Sequence, residues 1–132
     1  MENTASLDLR FCNRSHSIHS NTVHFKKLDI EFHKHGPECP FVVEGEEIEF
    51  SFRLKNNTDM EFHNVEFIDR LERGLEFVEG SLKINGQPVH CHGHHGCHGH
   101  DHGHGHHNVV RHRIHCLRPH EELRISFLAK VL

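Results

Sequence analysis

Residues 47–55 read E-I-E-F-S-F-R-L-K. Ile48, Phe50, Phe52 and Leu54 fall on one side of an extended chain, and Glu47, Glu49, Ser51, Arg53 and Lys55 on the other. Period-two alternation with one wet face predicts a half-buried antiparallel strand. The same pattern recurs at both ends of the chain. Leu123, Ile125, Phe127, Ala129 and Val131 alternate with polar residues near the C-terminus, and Leu28, Ile30 and Phe32 alternate with Asp29, Glu31 and His33. Earlier still, Leu7, Leu9 and Phe11 share a face opposite Asp8 and Arg10, and Thr22–Lys26 reads as extended. Between these come Phe41-Val42-Val43, Val65 to Asp69, Leu82 to Ile84, and Val110, Ile114 and Cys116, each predicted as a strand and the last set with its side chains inward.

Turn chemistry separates the strands. Gly36-Pro37, Asn56-Asn57, Arg73-Gly74, Asn85-Gly86 and Arg118-Pro119 are breakers, and Asn-Gly is the strongest short hairpin signal. No segment sustains a 3.6-residue period. Seven to nine short antiparallel strands spaced by turns predict an all-β fold, a β-sandwich.

With 132 residues there is room for one core. A net charge of -4 gives no reason to expect nucleic acid as a partner. No run of apolar residues is long enough for a membrane span, and the first residues lack the apolar stretch of a classical signal peptide. Signatures of zinc hydrolases, nucleophile elbows, phosphate loops and dinucleotide turns are absent, so neither an enzyme nor an organic cofactor is expected. Five cysteines is an odd number. In an oxidising setting at least one is free or joined to another chain. Cys12, beside the first strand, and Cys39, in a Gly/Pro turn, are the candidates for interchain disulfides, whereas Cys116 on an inward strand face reads as a small buried hydrophobe.

The strongest chemical signal is residues 90–107, H-C-H-G-H-H-G-C-H-G-H-D-H-G-H-G-H-H. Ten are His and five are Gly, and there is no aliphatic or aromatic side chain. Such a stretch has nothing to bury against its ordering entropy and is expected to be a mobile loop. Its donors are His90, Cys91, His92, His94, His95, Cys97, His98, His100, Asp101, His102, His104, His106 and His107. Imidazole with thiolate suits zinc, nickel or copper. Overlapping ligand sets without fixed geometry predict loose binding with capacity rather than selectivity. Cys91 and Cys97 have three options: metal thiolates, a loop disulfide, or crosslinks to other chains. The scattered histidines, nineteen in all, make the net charge steeply dependent on pH below neutrality.

Three blocks carry a resemblance. The strand E-I-E-F-S-F-R-L is followed by Asn56-Asn57. Residues 65–86 read V-E-F-I-D-R-L-E-R-G-L-E-F-V-E-G-S-L-K-I-N-G, and residues 117–131 read L-R-P-H-E-E-L-R-I-S-F-L-A-K-V. Together they resemble the conserved-repeat domain of bacterial and archaeal surface proteins, known as domain of unknown function 11. The resemblance covers about residues 28–132 outside the His-rich insertion. It implies an immunoglobulin-like β-sandwich from a family found as tandem extracellular beads, and it implies no catalytic residues. Asp69, Gly74, Gly80, Asn85 and Gly86 map onto turns. Glu72 stands where the family has Pro, and His120 where it has Gly.

The expected organisation is therefore an N-terminal β arm over residues 1–27 and a sandwich over 28–132 with the insertion at 90–107. The arm looks like the closing strands of a preceding repeat. It either folds back on its own domain or, through Leu7, Leu9 and Phe11, adds as an assembly strand to an open edge of a neighbouring copy. Two functions are compatible with this. One is a self-assembling structural subunit of a filament, spore coat or surface layer, a homo-oligomer or polymer that displays the metal-binding loop at a cell or spore surface. The other is a soluble, cytoplasmic protein that sequesters or stores zinc, nickel or copper. A third possibility is an adhesin switched by His protonation.

Overall fold

The structure is a computed structural model that describes residues 1–89 and 108–132. The chain is all-β, with no helix among the described residues. Its strands are β1 (Glu2–Asn3), β2 (Ser6–Phe11), β3 (Arg14–His19), β4 (Val23–His24), β5 (Ile30–His35), β6 (Glu47–Asn56), β7 (Phe62–Arg70), β8 (Leu75–Phe77), β9 (Lys83–Ile84), β10 (Gln87–Pro88), β11 (Val109–Leu117) and β12 (Glu122–Val131). No helix among the described residues is long and apolar enough to cross a membrane.

The two segments with the cleanest alternation, β6 and β12, pair with each other. Leu54 lies opposite Leu123, Phe52 opposite Ile125, Phe50 opposite Phe127, and Ile48 opposite Ala129. Each apolar face therefore meets its counterpart across the ladder, where cross-strand pairs stabilise a sheet. These two strands are the middle of a sheet ordered β10-β9-β12-β6-β5, with β8 also on β12. β7 and β11 form a separate two-stranded sheet. Both sheets feed one core: Ile48, Phe52 and Leu54 from β6 and Ile125 and Phe127 from β12 meet Phe67 from β7 and Val110, Ile114 and Leu117 from β11. The Phe52 ring lies between Phe67, met edge-on at 4.9 Å, and Phe127, stacked at 5.8 Å. Burying each of these large side chains contributes about 1.5–3 kcal/mol.

Among the described residues one polar side chain is fully buried. Asn56, at the end of β6, donates from Nδ2 to the carbonyls of Met60 (2.7 Å) and Arg118 (3.0 Å). Its Oδ1 accepts from the Thr58 backbone N–H (2.9 Å) and hydroxyl (2.6 Å). It thereby ties the turn after β6 to the end of β11. The turn after β11 has Pro119 followed by His120 at φ 59, the type II pattern that normally takes glycine at its third position.

Two features depart from the alternation reading. Phe41-Val42-Val43 is not a strand: the three residues pair with nothing in a ladder and are 85%, 39% and 64% exposed. Strand-forming side chains do not make a strand where no neighbouring edge is available. Cys116, expected inward, is only half-buried, because the pleat of β7 and β11 changes phase near their ends.

Candidate functional site

The first 25 residues close on themselves as one long hairpin. Glu2 pairs with His24 and Asn3 with Val23; further out, Ser6 pairs with His19 and so on to Phe11 with Arg14. The threonine hydroxyls of Thr4 and Thr22, 2.6 Å apart, and the Ser20 N–H to Ala5 carbonyl bond (2.9 Å) join the two ladders. The tip is Cys12-Asn13, both at positive φ (48° and 59°), which is the type I′ geometry that matches strand twist. Leu7 faces Ile18, Leu9 faces His16, and Phe11 faces Arg14, whose guanidinium lies 4.9 Å from the ring centre.

Every residue from 1 to 29 is exposed. Leu7, Leu9 and Phe11 share one face of β2, and Ile18 of β3, which alternation had not singled out, stands on the same face opposite Leu7. Cys12 at the hairpin tip and Cys39 in the loop after β5 are exposed free thiols.

The body offers a complementary feature. β7 hydrogen-bonds to β11 alone among the described strands, so its other edge carries no ladder. The core-facing side chains of β7 meet β5: Lys34 Nζ binds Asp69 Oδ2 at 2.8 Å, and the Phe32 ring meets Phe67 edge-on at 6.2 Å. Phe32 touches the core through Phe67 and Phe52, yet it is 53% exposed. An apolar ring beside an unpaired strand edge is the arrangement that an added strand covers.

The thirteen predicted metal ligands from His90 to His107 lie outside the described residues. Their attachment points are held firmly. The Val89 N–H donates to the Leu82 carbonyl (3.0 Å), and the Asn108 carbonyl accepts from the Leu71 N–H (2.6 Å). Val109 and Val110 follow directly, both buried.

At the opposite end of β11 a second group of donors comes together, which sequence spacing did not reveal. His63 and Cys116 are cross-strand partners on β7 and β11. Glu61, two residues before His63, reaches both: the Cys116 thiol donates to Glu61 Oε1 (2.6 Å), and His63 Nε2 lies 3.4 Å from Glu61 Oε2. The cause is Asn64, at φ 57. Val65 and Phe67 point inward on odd positions, but before Asn64 it is Phe62 that packs on the core, opposite the buried Leu117. The phase change turns Glu61, His63 and Cys116 away from the core, as irregular ladder positions do when they re-aim side chains. Glu61 raises the Cys116 pKa by accepting a hydrogen bond from its thiol, with burial adding to the effect, while Arg118 nearby acts in the opposite sense. Further along β11, burial and then the proximity of His115 lower the pKa of His112.

Comparison of the chain with protein-family models, with curated proteins and with solved structures gives no match.

Proposed function

We propose that this chain is a self-assembling structural subunit, an immunoglobulin-like β-sandwich whose N-terminal hairpin adds to a second copy of itself. The observation that carries the reading is the hairpin's wholly exposed state, with Leu7, Leu9, Phe11 and Ile18 on one face and no core beneath them. An isolated two-stranded hairpin is marginal in water, and three or more strands or a packed face are needed to hold it. The unpaired edge of β7 supplies a ladder, and half-exposed Phe32, which packs on Phe67 of that strand, supplies an apolar surface.

A second copy is the occupant because the donor and acceptor are different patches of the same chain. Such a contact is heterologous: it repeats from copy to copy and builds a ring or a filament. The resemblance of residues 28–132 to the surface-protein repeat supports the same reading and favours a cell or spore surface as its location. The sequence of residues 90–107 supplies imidazole and thiol donors for zinc, nickel or copper. Cys12, at the hairpin tip, is positioned to form a disulfide once the arm is seated.

Negative-stain electron microscopy of the full chain, without reductant and with either chelator or zinc, tests this. Polymers in both conditions that vanish on deletion of residues 1–26 support the reading. Single particles in both conditions overturn it and favour a metal-sequestering protein instead. The deletion removes no residue that is buried in the body.

A further inference from the structure

We propose that Glu61, His63 and Cys116 form a zinc site of defined geometry, distinct from the His-rich segment. The three side chains offer one carboxylate oxygen, one imidazole nitrogen and one sulfur, all within 4.8 Å of one another. Donor atoms around a tetrahedral zinc stand roughly 3.3–3.8 Å apart, as bond lengths of about 2.0–2.3 Å require. The Cys116–Glu61 contact, 2.6 Å as a hydrogen bond, therefore has to open by roughly an ångström, and the widest separation, at most 4.8 Å, has to close by about 1–1.5 Å, adjustments that side-chain rotation supplies while the paired backbones of β7 and β11 stay fixed. Thiolate, imidazole and carboxylate together are a borderline donor set that suits zinc better than the hard cations calcium or magnesium.

In the absence of metal a proton bridges the Cys116 thiol and the Glu61 carboxylate. Zinc takes the place of that proton: the S–H bond breaks, the thiolate pair is donated to the metal, and one proton leaves to solvent. Three protein ligands leave a fourth position for water or for a donor from another molecule.

This site is separate from the histidine segment. Val109, where the chain re-enters the body, pairs with Arg70, whereas Cys116 pairs with His63. Seven residues of extended strand put roughly 23 Å between the two. The segment lacks fixed geometry in its sequence, while this cluster is built on two hydrogen-bonded strands, and that difference predicts tighter and more selective binding here.

The test is zinc protection of Cys116 against alkylation in the full chain, read residue by residue by mass spectrometry. Zinc is added beyond the capacity of the histidine segment. The expected result is a Cys116 alkylation rate slowed about tenfold or more by zinc and restored by chelator, with Cys12 and Cys39 unaffected, since neither has comparable partners among the described residues. His63→Ala and Glu61→Gln each abolish the protection while leaving the circular dichroism of the body unchanged. Cobalt gives a second readout: a sulfur-to-metal charge-transfer absorption that survives in the Cys91→Ser/Cys97→Ser protein and is lost on adding Cys116→Ser. Equal alkylation with and without zinc, protection that survives His63→Ala, or a cobalt band indifferent to Cys116→Ser would each overturn the proposal. None of these outcomes bears on the assembly reading, which rests on residues 1–29.

Discussion

Leu7 and Ile18 face each other across the N-terminal hairpin, and both stand in solvent, 63% and 46% exposed. A directly opposed aliphatic pair ordinarily stabilises a hairpin by sitting over a third layer. In the proposed assembly that layer comes from another molecule. The double substitution Leu7→Lys/Leu9→Lys is expected to convert assembled material to single subunits in sedimentation velocity. The thermal unfolding midpoint of the body should stay put, because neither residue touches the core. A Leu7→Ala/Leu9→Ala protein that assembles as well as the parent would argue that the arm's apolar face is not the contact.

Asn56 is the one fully buried polar side chain among the described residues, and its bonds hold three chain segments. Asn56→Ala leaves the Met60 and Arg118 carbonyls and the Thr58 N–H without their partner. Each orphaned buried group costs about 1–3 kcal/mol, so a loss of about 3 kcal/mol is expected in urea unfolding. A loss below about 1 kcal/mol would mean that solvent reaches these groups.

His112 ties stability to pH. Burial, with the charge of His115 as a smaller cause, lowers its pKa from the ordinary 6.5. Folded protein therefore binds fewer protons than unfolded protein once the unfolded imidazole begins to titrate. Stability is unaffected well above pH 6.5, falls as pH drops through that value, and levels out below the folded pKa. Urea midpoints measured from about pH 7.5 to about pH 5.5 should show this decline, and His112→Gln should flatten part of it. An identical slope in the His112→Gln protein would assign the decline to the remaining histidines.

His120 occupies a left-handed position (φ 59) that glycine adopts at no steric cost. His120→Gly is expected to raise stability by about 0.5–1 kcal/mol, visible as a higher melting temperature. A lower one would show that the imidazole makes a contact worth more than the strain it carries.

β6 and β12 were legible from their alternation because each has one face in the core and one in water, the condition that writes period two into a sequence. Other parts were not. The pairing of β2 with β3 rests on a Cys12-Asn13 turn that lacks the usual Asn-Gly or Asp-Gly signature, so the first strand could be read but its partner could not. Phe41-Val42-Val43 has the side chains of a strand without an edge to join. The Glu61–His63–Cys116 cluster was hidden for a different reason. A single left-handed residue, Asn64, shifts the pleat by one, and an alternation carried through it assigns Cys116 to the wrong side. An Asn between two strand-like runs was the only trace of that shift, and it is too common a residue to read as one. No spacing rule could pair Glu61 and His63 with a cysteine over fifty positions away.

The place of β12 in the large sheet bears on the order in which the molecule is made. β12 joins β6, β8 and β9, and it is the last of the described strands to leave the ribosome. The body's main sheet therefore cannot close until synthesis has passed residue 131, and its pairings span long stretches of chain, a topology that folds slowly. The β2–β3 hairpin is local and forms within microseconds. For most of its translation the nascent chain thus carries a finished arm and an unfinished body. Where several ribosomes share one message, neighbouring chains expose arms before any has a completed body, so under the proposed assembly polymer growth would wait on the completion of whole subunits.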